Sequence, residues 1–254
     1  MKTTRRDALR LLAGAAAGGA LAGCSSLEGL RALAPRNRSN FVLVHGSWYG
    51  PWCWDKLAAA MRAMGHTVTA VDLRGSAPAG QASFASYVKG VAGALAAQDE
   101  PAILVAHGAG GVYASQAAEE RPEKVRTLVF LAGVVPGANE SGHDAMKPGV
   151  GAGASPSPAA LCSDCGELDV IETAQRLVPE PAAPGGQPVR LTQQRFGKVD
   201  RAYIYCSRDK AISLWKQREF AEKWPMRRTL TLDASHSPFL SMPERLAHAL
   251  IREL

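Results

Sequence analysis

Two residues in the carboxyl-terminal part of the chain, Asp209 and His236, have the types and the setting that acid–base catalysis requires. Each follows a predicted strand, residues 202–206 for Asp209 and residues 229–232 for His236. Ligands of open α/β sheets bind at the carboxyl ends of the strands, so we expect both side chains at one site. A carboxylate beside an imidazole fixes the tautomer of the ring and stabilises its protonated form. The sequence therefore predicts an Asp–His dyad, although Asp209 alone could cap the following helix and His236 alone could be a core histidine.

A third segment has the pattern of a nucleophile elbow but lacks the nucleophile. An apolar run at residues 103–107 breaks into glycines and then continues as a helical pattern at residues 112–118. An elbow carries its nucleophile at the apex of a tight turn, with small residues two positions before and after it. Here the small residues are Ala106 and Gly110, and the apex, where the pattern G-x-S-x-G has serine, is Gly108. The sequence therefore predicts an empty nucleophile position and no acyl-enzyme at residue 108.

Strand and helix patterns alternate around these residues. Apolar runs predict strands at residues 41–44, 67–72, 103–107, 125–131, 202–206 and 229–232. Helical spacing of apolar residues predicts helices at residues 55–64, 84–97, 112–118, 168–177, 214–224 and 243–254. This alternation predicts an α/β domain with a doubly wound, mostly parallel sheet. Residues 136–200 interrupt it with a stretch rich in Gly, Pro, Ala and Ser, and we expect this insertion to form a cap over the site.

These blocks resemble the methylesterase and hydroxynitrile lyase branch of the α/β-hydrolase superfamily. The matching blocks are Phe41-Val42-Leu43-Val44-His45-Gly46-Ser47 with Gly50 and Trp52-Cys53-Trp54, Ala106-His107-Gly108-Ala109-Gly110-Gly111, Asp209-Lys210-Ala211-Ile212 and Ser235-His236-Ser237-Pro238-Phe239. The resemblance implies an α/β-hydrolase fold and an oxyanion hole made by the backbone N–H groups of Ser47 and Ala109. Lyases of this branch have a lysine after the catalytic histidine and a threonine after the first-loop histidine. Here those positions are Ser237 and Gly46, so the resemblance favours the esterases.

Three functions are compatible with the glycine at position 108. In an esterase-like enzyme, His236 oriented by Asp209 would activate water or abstract a substrate proton directly, while the oxyanion hole stabilises the developing anion. In a lipid-anchored binding protein, the pocket would persist without catalysis. A displaced nucleophile would be Ser47, Cys206 or Ser207. The intact dyad favours the enzyme and the missing nucleophile favours the binding protein. In either case we expect a small apolar ester-like or carbonyl ligand and no cofactor; Trp48, Tyr49 and Trp215 either line the pocket or pack in the core.

The amino terminus predicts export and lipidation. Residues 1–10 are basic, and the apolar run at residues 11–22 is too short to span a bilayer, so residues 1–23 resemble a signal peptide with a twin-arginine-like Thr4-Arg5-Arg6. Leu21-Ala22-Gly23-Cys24 resembles a lipobox, which implies cleavage before Cys24 and lipidation of its thiol; the alternative is a plain signal with a chance cysteine. Residues 24–40 would then be a tether and residues 41–254 the domain. We expect a protein of the bacterial cell envelope, anchored on the periplasmic side of a membrane.

Charge and cysteine content limit the kinds of partner and metal site that we expect. With 46% hydrophobic and 20% charged residues, the chain has the composition of a globular protein. Its formal charge of +6 falls to +3 without residues 1–23, so a nucleic-acid partner is not expected. Four cysteines remain after Cys24, namely Cys53, Cys162, Cys165 and Cys206. Cys162 and Cys165 have zinc-ligand spacing but lack a second Cys or His pair, so a local disulfide or two free thiols are favoured over a metal site.

Overall fold

The computed structural model describes residues 38–76, 81–147 and 157–254. Contacts divide the chain into Met1–Arg38 and Ser39–Leu254, and the elements described below all belong to the second unit. The predicted signal peptide, Cys24 and all but the end of the predicted tether lie outside the described residues. Within the described ranges, no helix is both long enough and apolar enough to cross a bilayer.

Six strands form one sheet in the order β2-β1-β3-β4-β5-β6, and every pairing between them is parallel. The strands are β1 Asn40–Val44, β2 Thr67–Val71, β3 Ala102–His107, β4 Val125–Leu131, β5 Arg201–Cys206 and β6 Arg228–Leu232. The direction of winding reverses between β1 and β3, which lie side by side. Ligands bind at such a switch point, outside the carboxyl ends of the strands. The predicted doubly wound parallel sheet is confirmed, and its switch point lies directly before Gly108.

Helices cover the sheet on both sides. The described residues form the helices α1 Asp55–Ala63, α2 Phe84–Ala96, α3 Gly110–Glu120, α4 Gly142–Met146, α5 Pro158–Leu161, α6 Glu167–Arg176, α7 Ala182–Gly186, α8 Leu214–Glu222, α9 Pro238–Ser241 and α10 Pro243–His248. Short 3-10 turns occur at Pro51–Trp54, Pro122–Lys124 and Phe196–Lys198, and a π-helical turn, Ala249–Glu253, follows α10. The predicted closing helix over residues 243–254 is therefore divided into an α-helix and a π-helical turn.

The neighbouring strands β1 and β3 consist almost entirely of apolar residues because both of their faces are buried. Successive residues of a strand point to opposite faces of the sheet. Val42 and Leu104 accordingly pack in one core cluster with residues of α2 and α3, whereas Leu43 and Val105 pack in a second cluster with residues of α1 and α10. Every residue of β3 is buried. This two-sided burial makes the carboxyl end of β3 a rigid support for the turn that follows it.

The segment between β4 and β5, residues 132–200, is called the β4–β5 insertion below. It contains the short helices α4 to α7, of which α6 confirms the helix predicted at residues 168–177. Its end is anchored on α3, where the buried Glu119 accepts hydrogen bonds from the backbone N–H groups of Thr192 and Phe196, both at 2.9 Å. Its middle contacts the loop after β1, because the N–H of Val178 donates to the carbonyl of Trp48 at 2.9 Å. The insertion is thereby fixed at two separate places, on α3 and on the loop after β1.

His45, directly after β1, ties the ends of two strands together. Its Nε2 accepts a hydrogen bond from the N–H of Leu73 at 3.3 Å, and its Nδ1 lies 2.9 Å from the carbonyl oxygen of Gly46. These partners require a neutral ring that carries its proton on Nδ1. Burial lowers the pKa of His45 to about 4. The neutral form therefore holds the loop after β1 in place at ordinary pH.

Replacing His45 with Gln should weaken the acid dependence of stability. The folded pKa lies below the ordinary value of 6.5, so unfolding takes up a proton between these two values. The contribution of neutral His45 to the free energy of unfolding is fully present above pH 6.5. As the pH falls from 6.5 toward 4, this contribution decreases by about 1.4 kcal/mol per pH unit for one proton. Glutamine can keep both hydrogen bonds without titrating. Urea unfolding across this pH range should show a smaller slope of unfolding free energy against pH for His45→Gln, whereas His143→Gln, which removes an exposed histidine, should keep the wild-type slope. An unchanged slope in His45→Gln would contradict this assignment.

Candidate active site

The site is built on a buried hydrogen bond between Asp209 and His236. Nδ1 of His236 and Oδ2 of Asp209 are 2.7 Å apart, and the two residues are 6% and 8% exposed. A carboxylate can only accept this bond, so the proton lies on Nδ1 and the lone pair of the ring lies on Nε2. Nε2 is directed toward Gly108, because a Cβ added to that glycine would lie 3.5 Å from it. The structure thus brings together three of the residues that the sequence singled out.

The carboxylate of Asp209 is held by donors from three sides. Its Oδ1 accepts the backbone N–H groups of Ala211 and Ile212, at 2.7 and 2.8 Å, and its Oδ2 lies 3.2 Å from Nε2 of Gln217. Buried charges are tolerated when they are paired and hydrogen-bonded. The following helix, α8, is capped by Ser213, whose hydroxyl accepts from the N–H of Lys216. The alternative in which Asp209 caps that helix is therefore wrong, and its side chain serves the turn and His236.

Gln217 is a site residue that the sequence did not predict. It lies on α8 and is fully buried, and its amide oxygen accepts from the N–H of Cys206 at 2.9 Å. Its amide nitrogen lies 3.1 Å from the carbonyl of Cys206 and 2.7 Å from that of Ile212. One side chain therefore joins the end of β5 to the turn that carries Asp209. A glutamine within an amphipathic helix gives no such signal, since its partners become neighbours only in the folded chain.

Gly108 forms the turn between β3 and α3. Its φ is +50°, in the left-handed region that favours glycine. Its carbonyl accepts from the N–H groups of Gly111 at 3.2 Å and Val134 at 2.8 Å. The small residue at position 110 is required because a Cβ there would lie 2.5 Å from the carbonyl oxygen of His45. The start of α3 thus packs directly on the end of β1, as an elbow requires.

The loop after β1 lies against the same turn. A Cβ added to Gly108 would lie 3.6 Å from Cα of Gly46, the residue before Ser47. Trp48 has a φ of +65°, and its N–H lies 3.4 Å from Oε2 of Glu180 in the β4–β5 insertion. Ala109 is the residue before α3, whose amino-terminal end carries a partial positive charge. This arrangement is compatible with the predicted oxyanion hole of Ser47 and Ala109, which remains a prediction.

His107 is hydrogen-bonded to the backbone of the dyad histidine. Its Nε2 donates to the carbonyl oxygen of His236 at 3.0 Å, and the two ring centroids are 4.3 Å apart. Burial lowers the pKa of His107 well below its ordinary value, so the ring stays neutral beside the dyad. This contact, which fixes the backbone of His236, was not predicted from the sequence. The hydrogen bond of His236 to Asp209 is the one that the predicted dyad requires, and the catalytic role of His236 stays a prediction.

The position after the dyad histidine is occupied by a buried hydroxyl. Ser237 is fully buried, and its Oγ lies 2.6 Å from Oη of Tyr49. The ring of Tyr49 makes edge contacts with those of His107 and Phe239, both at 5.6 Å between centroids. Of the two alternatives for Tyr49, packing in the core is therefore the one observed. Trp215 is 69% exposed on α8.

The cysteine thiols and neighbouring hydroxyls differ in their surroundings. Cys162 and Cys165 form a disulfide, which resolves the open alternative between a disulfide and free thiols. Cys53 and Cys206 are free and buried, and burial raises the pKa of the Cys206 thiol well above its ordinary value. A thiol in this state is a poor nucleophile. The hydroxyl of Ser207 donates a hydrogen bond to Oδ1 of Asp233 at 3.1 Å. Neither Cys206 nor Ser207 has the setting of an activated nucleophile.

Comparisons with known proteins agree with this fold. The model of the alpha/beta hydrolase family matches residues 41–249. Methylesterase 7 of Arabidopsis thaliana is 30% identical, over 85% of this chain and 96% of that protein. The crystal structure of polyneuridine aldehyde esterase has a TM-score of 0.70 and 27% identity, covering 84% of this chain and 98% of that one. Tomato methylketone synthase I complexed with 2-tridecanone has the same TM-score and identity, covering 84% and 96%, and a histidine-to-alanine variant of it is complexed with β-ketoheptanoate at a TM-score of 0.69.

Proposed function

Because this chain belongs to the alpha/beta hydrolase family, in its methylesterase branch, we propose that it acts on a small carbonyl compound by acid–base catalysis at His236. Asp209 orients the ring and stabilises its protonated form, and no covalent intermediate forms at position 108. The observation that carries this proposal is the direction of the His236 ring. Its Nε2 points at a glycine that lacks a hydroxyl, while its Nδ1 keeps a complete hydrogen bond to Asp209.

Ester hydrolysis would proceed by direct attack of water. Nε2 of His236 takes a proton from a water molecule while the oxygen of that water forms a bond to the ester carbonyl carbon. The carbonyl oxygen becomes an oxyanion, and in this proposal the N–H groups of Ser47 and Ala109 stabilise it. When the tetrahedral intermediate collapses, the bond to the alkoxide breaks and the imidazolium returns its proton to that oxygen. The products are a carboxylic acid and an alcohol, and His236 is regenerated.

Loss of CO2 from a β-keto acid is the second candidate, and the comparison with methylketone synthase favours it. That relative has been crystallised with a β-keto acid and with a methyl ketone. The bond between the α-carbon and the carboxylate breaks, CO2 leaves, and the electron pair forms an enolate whose oxygen lies in the oxyanion hole. His236, which has first taken up a proton from solvent at Nε2, donates that proton to the α-carbon and returns to its neutral form. This reaction needs no nucleophile, so a glycine at position 108 does not impede it.

A pocket that binds the same ligands without turnover is the alternative to catalysis. The missing nucleophile favours this alternative, whereas the intact dyad favours an enzyme. A binding pocket has no requirement for a buried carboxylate behind a histidine, and burying that carboxylate is unfavourable unless every oxygen is hydrogen-bonded. The three donors on Asp209 therefore support the catalytic proposal.

Turnover distinguishes these possibilities. We expect the full chain to convert at least one member of a panel of methyl esters and β-keto acids above the buffer rate. His236→Ala should lower this rate by roughly 10²- to 10⁴-fold, because general acid–base catalysis contributes about that much. His143→Ala, which removes a histidine of α4, is the matched control and should keep the wild-type rate. A panel without turnover, together with a higher melting temperature in the presence of the same ligands, would establish the binding alternative instead.

Installing the missing hydroxyl tests the vacancy at position 108. A Cβ added to Gly108 makes only ordinary contacts, at 3.5 Å and beyond, so Gly108→Ser should fold, with a loss of about 1–2 kcal/mol for the left-handed backbone. A fluorophosphonate probe should label this variant and not the wild-type chain, as measured by intact-protein mass spectrometry. Gly93→Ser is the control, because a side chain at that helical position meets nothing within 4 Å. Prompt labelling of the wild-type chain would instead point to a displaced nucleophile such as Ser47.

We also propose that the protein is exported and held at the periplasmic side of a membrane through a lipidated Cys24. The lipobox sequence supports this proposal, and the disulfide of Cys162 and Cys165 is of the kind that persists in an oxidising compartment. Mass spectrometry of the amino-terminal peptide should find diacylglycerol on Cys24, and Cys24→Ala should move the protein from the membrane fraction to the soluble fraction. A wild-type protein with an unmodified Cys24 would contradict the proposal.

A further inference from the structure

A four-residue turn of the β4–β5 insertion, residues 162–165, is closed by a disulfide and is called the disulfide turn below. The Cα atoms of Cys162 and Cys165 are 5.2 Å apart, and the N–H of Cys165 donates to the carbonyl of Cys162 at 3.2 Å. Leu161 and Cys162 are buried, in the same core cluster as Ile204 of β5 and Leu232 of β6. Cys162 of the disulfide turn therefore belongs to the core cluster that also contains residues of the two strands preceding the dyad residues.

Asp164 of this turn contacts both loops that carry the dyad. Its Oδ2 accepts the backbone N–H of Ser235 at 2.9 Å, and its Oδ1 accepts the hydroxyl of Ser235. The same Oδ2 lies 3.5 Å from Nη2 of Arg208. The side chain of Asp164 is only 8% exposed, whereas that of Arg208 is 52% exposed. The bonds to Ser235 are thus the desolvated ones, and we expect them to contribute more than the ion pair.

The partners of Asp164 are the immediate neighbours of the dyad. Arg208 precedes Asp209, and Ser235 precedes His236. The two loops also contact each other directly, because the N–H of Arg208 donates to the carbonyl of Ala234 at 2.9 Å. Holding Ser235 from the side of the insertion therefore restricts one of the two loops whose movement would lengthen the bond between His236 and Asp209.

The disulfide determines how well Asp164 is placed for this role. Short loops without regular structure lose entropy when they are ordered, and a covalent link reduces the number of conformations available to the chain. The disulfide turn has no helix or strand of its own to hold it, since α5 ends at Leu161 and α6 begins at Glu167. Without the link between Cys162 and Cys165, the turn would have more conformations available. Forming the contact of Asp164 with Ser235 would then cost more conformational entropy.

We propose that Asp164 is a positioning residue for the dyad and that the disulfide between Cys162 and Cys165 keeps it in position. The catalytic meaning of this inference rests on the proposed function, but the contact with the dyad loops can be measured without any substrate. Reduction of the disulfide then loosens the site. With dithiothreitol, the bond between the two sulfur atoms takes up two electrons and two protons to give two thiols, and the reagent becomes a cyclic disulfide.

The experiment compares Asp164→Asn with the oxidised and the dithiothreitol-reduced wild-type chain. Asparagine keeps the size of the side chain but loses the charge. Its single amide oxygen replaces the two carboxylate oxygens that accept separately from the N–H and the hydroxyl of Ser235. Two NMR readouts are recorded: hydrogen exchange of the Ser235 amide, and the downfield resonance of the imidazole proton shared by His236 and Asp209, which is assigned by its loss in His236→Gln. Asp169→Asn is the matched control, because Asp169 is another carboxylate of the insertion that bonds to Lys56 at 2.6 Å and not to a dyad loop.

We expect the Ser235 amide to exchange about tenfold faster or more in Asp164→Asn, as the loss of a charge-assisted hydrogen bond predicts. The imidazole proton should broaden or disappear, reduction of the wild-type chain should produce the same two changes, and Asp169→Asn should produce neither. If both readouts are unchanged in Asp164→Asn, or unchanged on reduction, the proposal is wrong. Should Asp164→Asn fail to fold, the reduced wild-type chain decides alone. A chain without turnover that still shows these changes would overturn the proposed function and leave the positioning role intact.

Discussion

The buried hydrogen bond of 2.7 Å between Nδ1 of His236 and Oδ2 of Asp209 is the interaction on which the rest of the site depends. A carboxylate in this position is unfavourable unless its other lone pairs are occupied. The turn after β5 provides two backbone N–H groups, and α8 provides the amide of Gln217. The end of the sheet thus provides hydrogen-bond partners for a buried carboxylate behind a histidine.

A second constraint acts at the elbow, where α3 begins directly on the end of β1. Gly110 allows this close approach, and Gly108 takes the left-handed backbone that the turn requires. The strained position of an elbow is therefore occupied by the residue that adopts it most easily. The chain keeps the scaffold of its family, and in the proposed function Asp209 and His236 are its acid and base while position 108 has no hydroxyl. That combination suits chemistry in which His236 exchanges protons directly with water or with a carbon atom.

The sequence predicted the parts of the fold that depend on local pattern. All six strands were predicted from apolar runs, whereas the place at which the winding reverses, between β1 and β3, was not predicted. His107 and Asp164 were not predicted, because each acts through a partner that is distant in the chain, by 129 residues for the contact of His107 with His236 and by 71 for that of Asp164 with Ser235. Gln217 was not predicted either, because its partners, 5 to 11 residues away, come within reach of its side chain only through the turn between β5 and α8. The pairing of Cys162 with Cys165 also stayed open, since the spacing of two cysteines fits thiols as well as a disulfide. Residues that carry chemistry at strand ends can be found from sequence, whereas those that hold them in place need the folded neighbours.

Non-covalent catalysis by His236 can be examined in a crystal structure of the His236→Ala chain with β-ketoheptanoate. We expect an intact, non-covalent ligand whose keto oxygen lies within hydrogen-bond distance of the N–H groups of Ser47 and Ala109. Its α-carbon should lie above Gly108, next to the space that the imidazole has vacated. A ligand bound elsewhere on the surface, or one joined covalently to a side chain of the site, would show that the proposed mechanism is wrong.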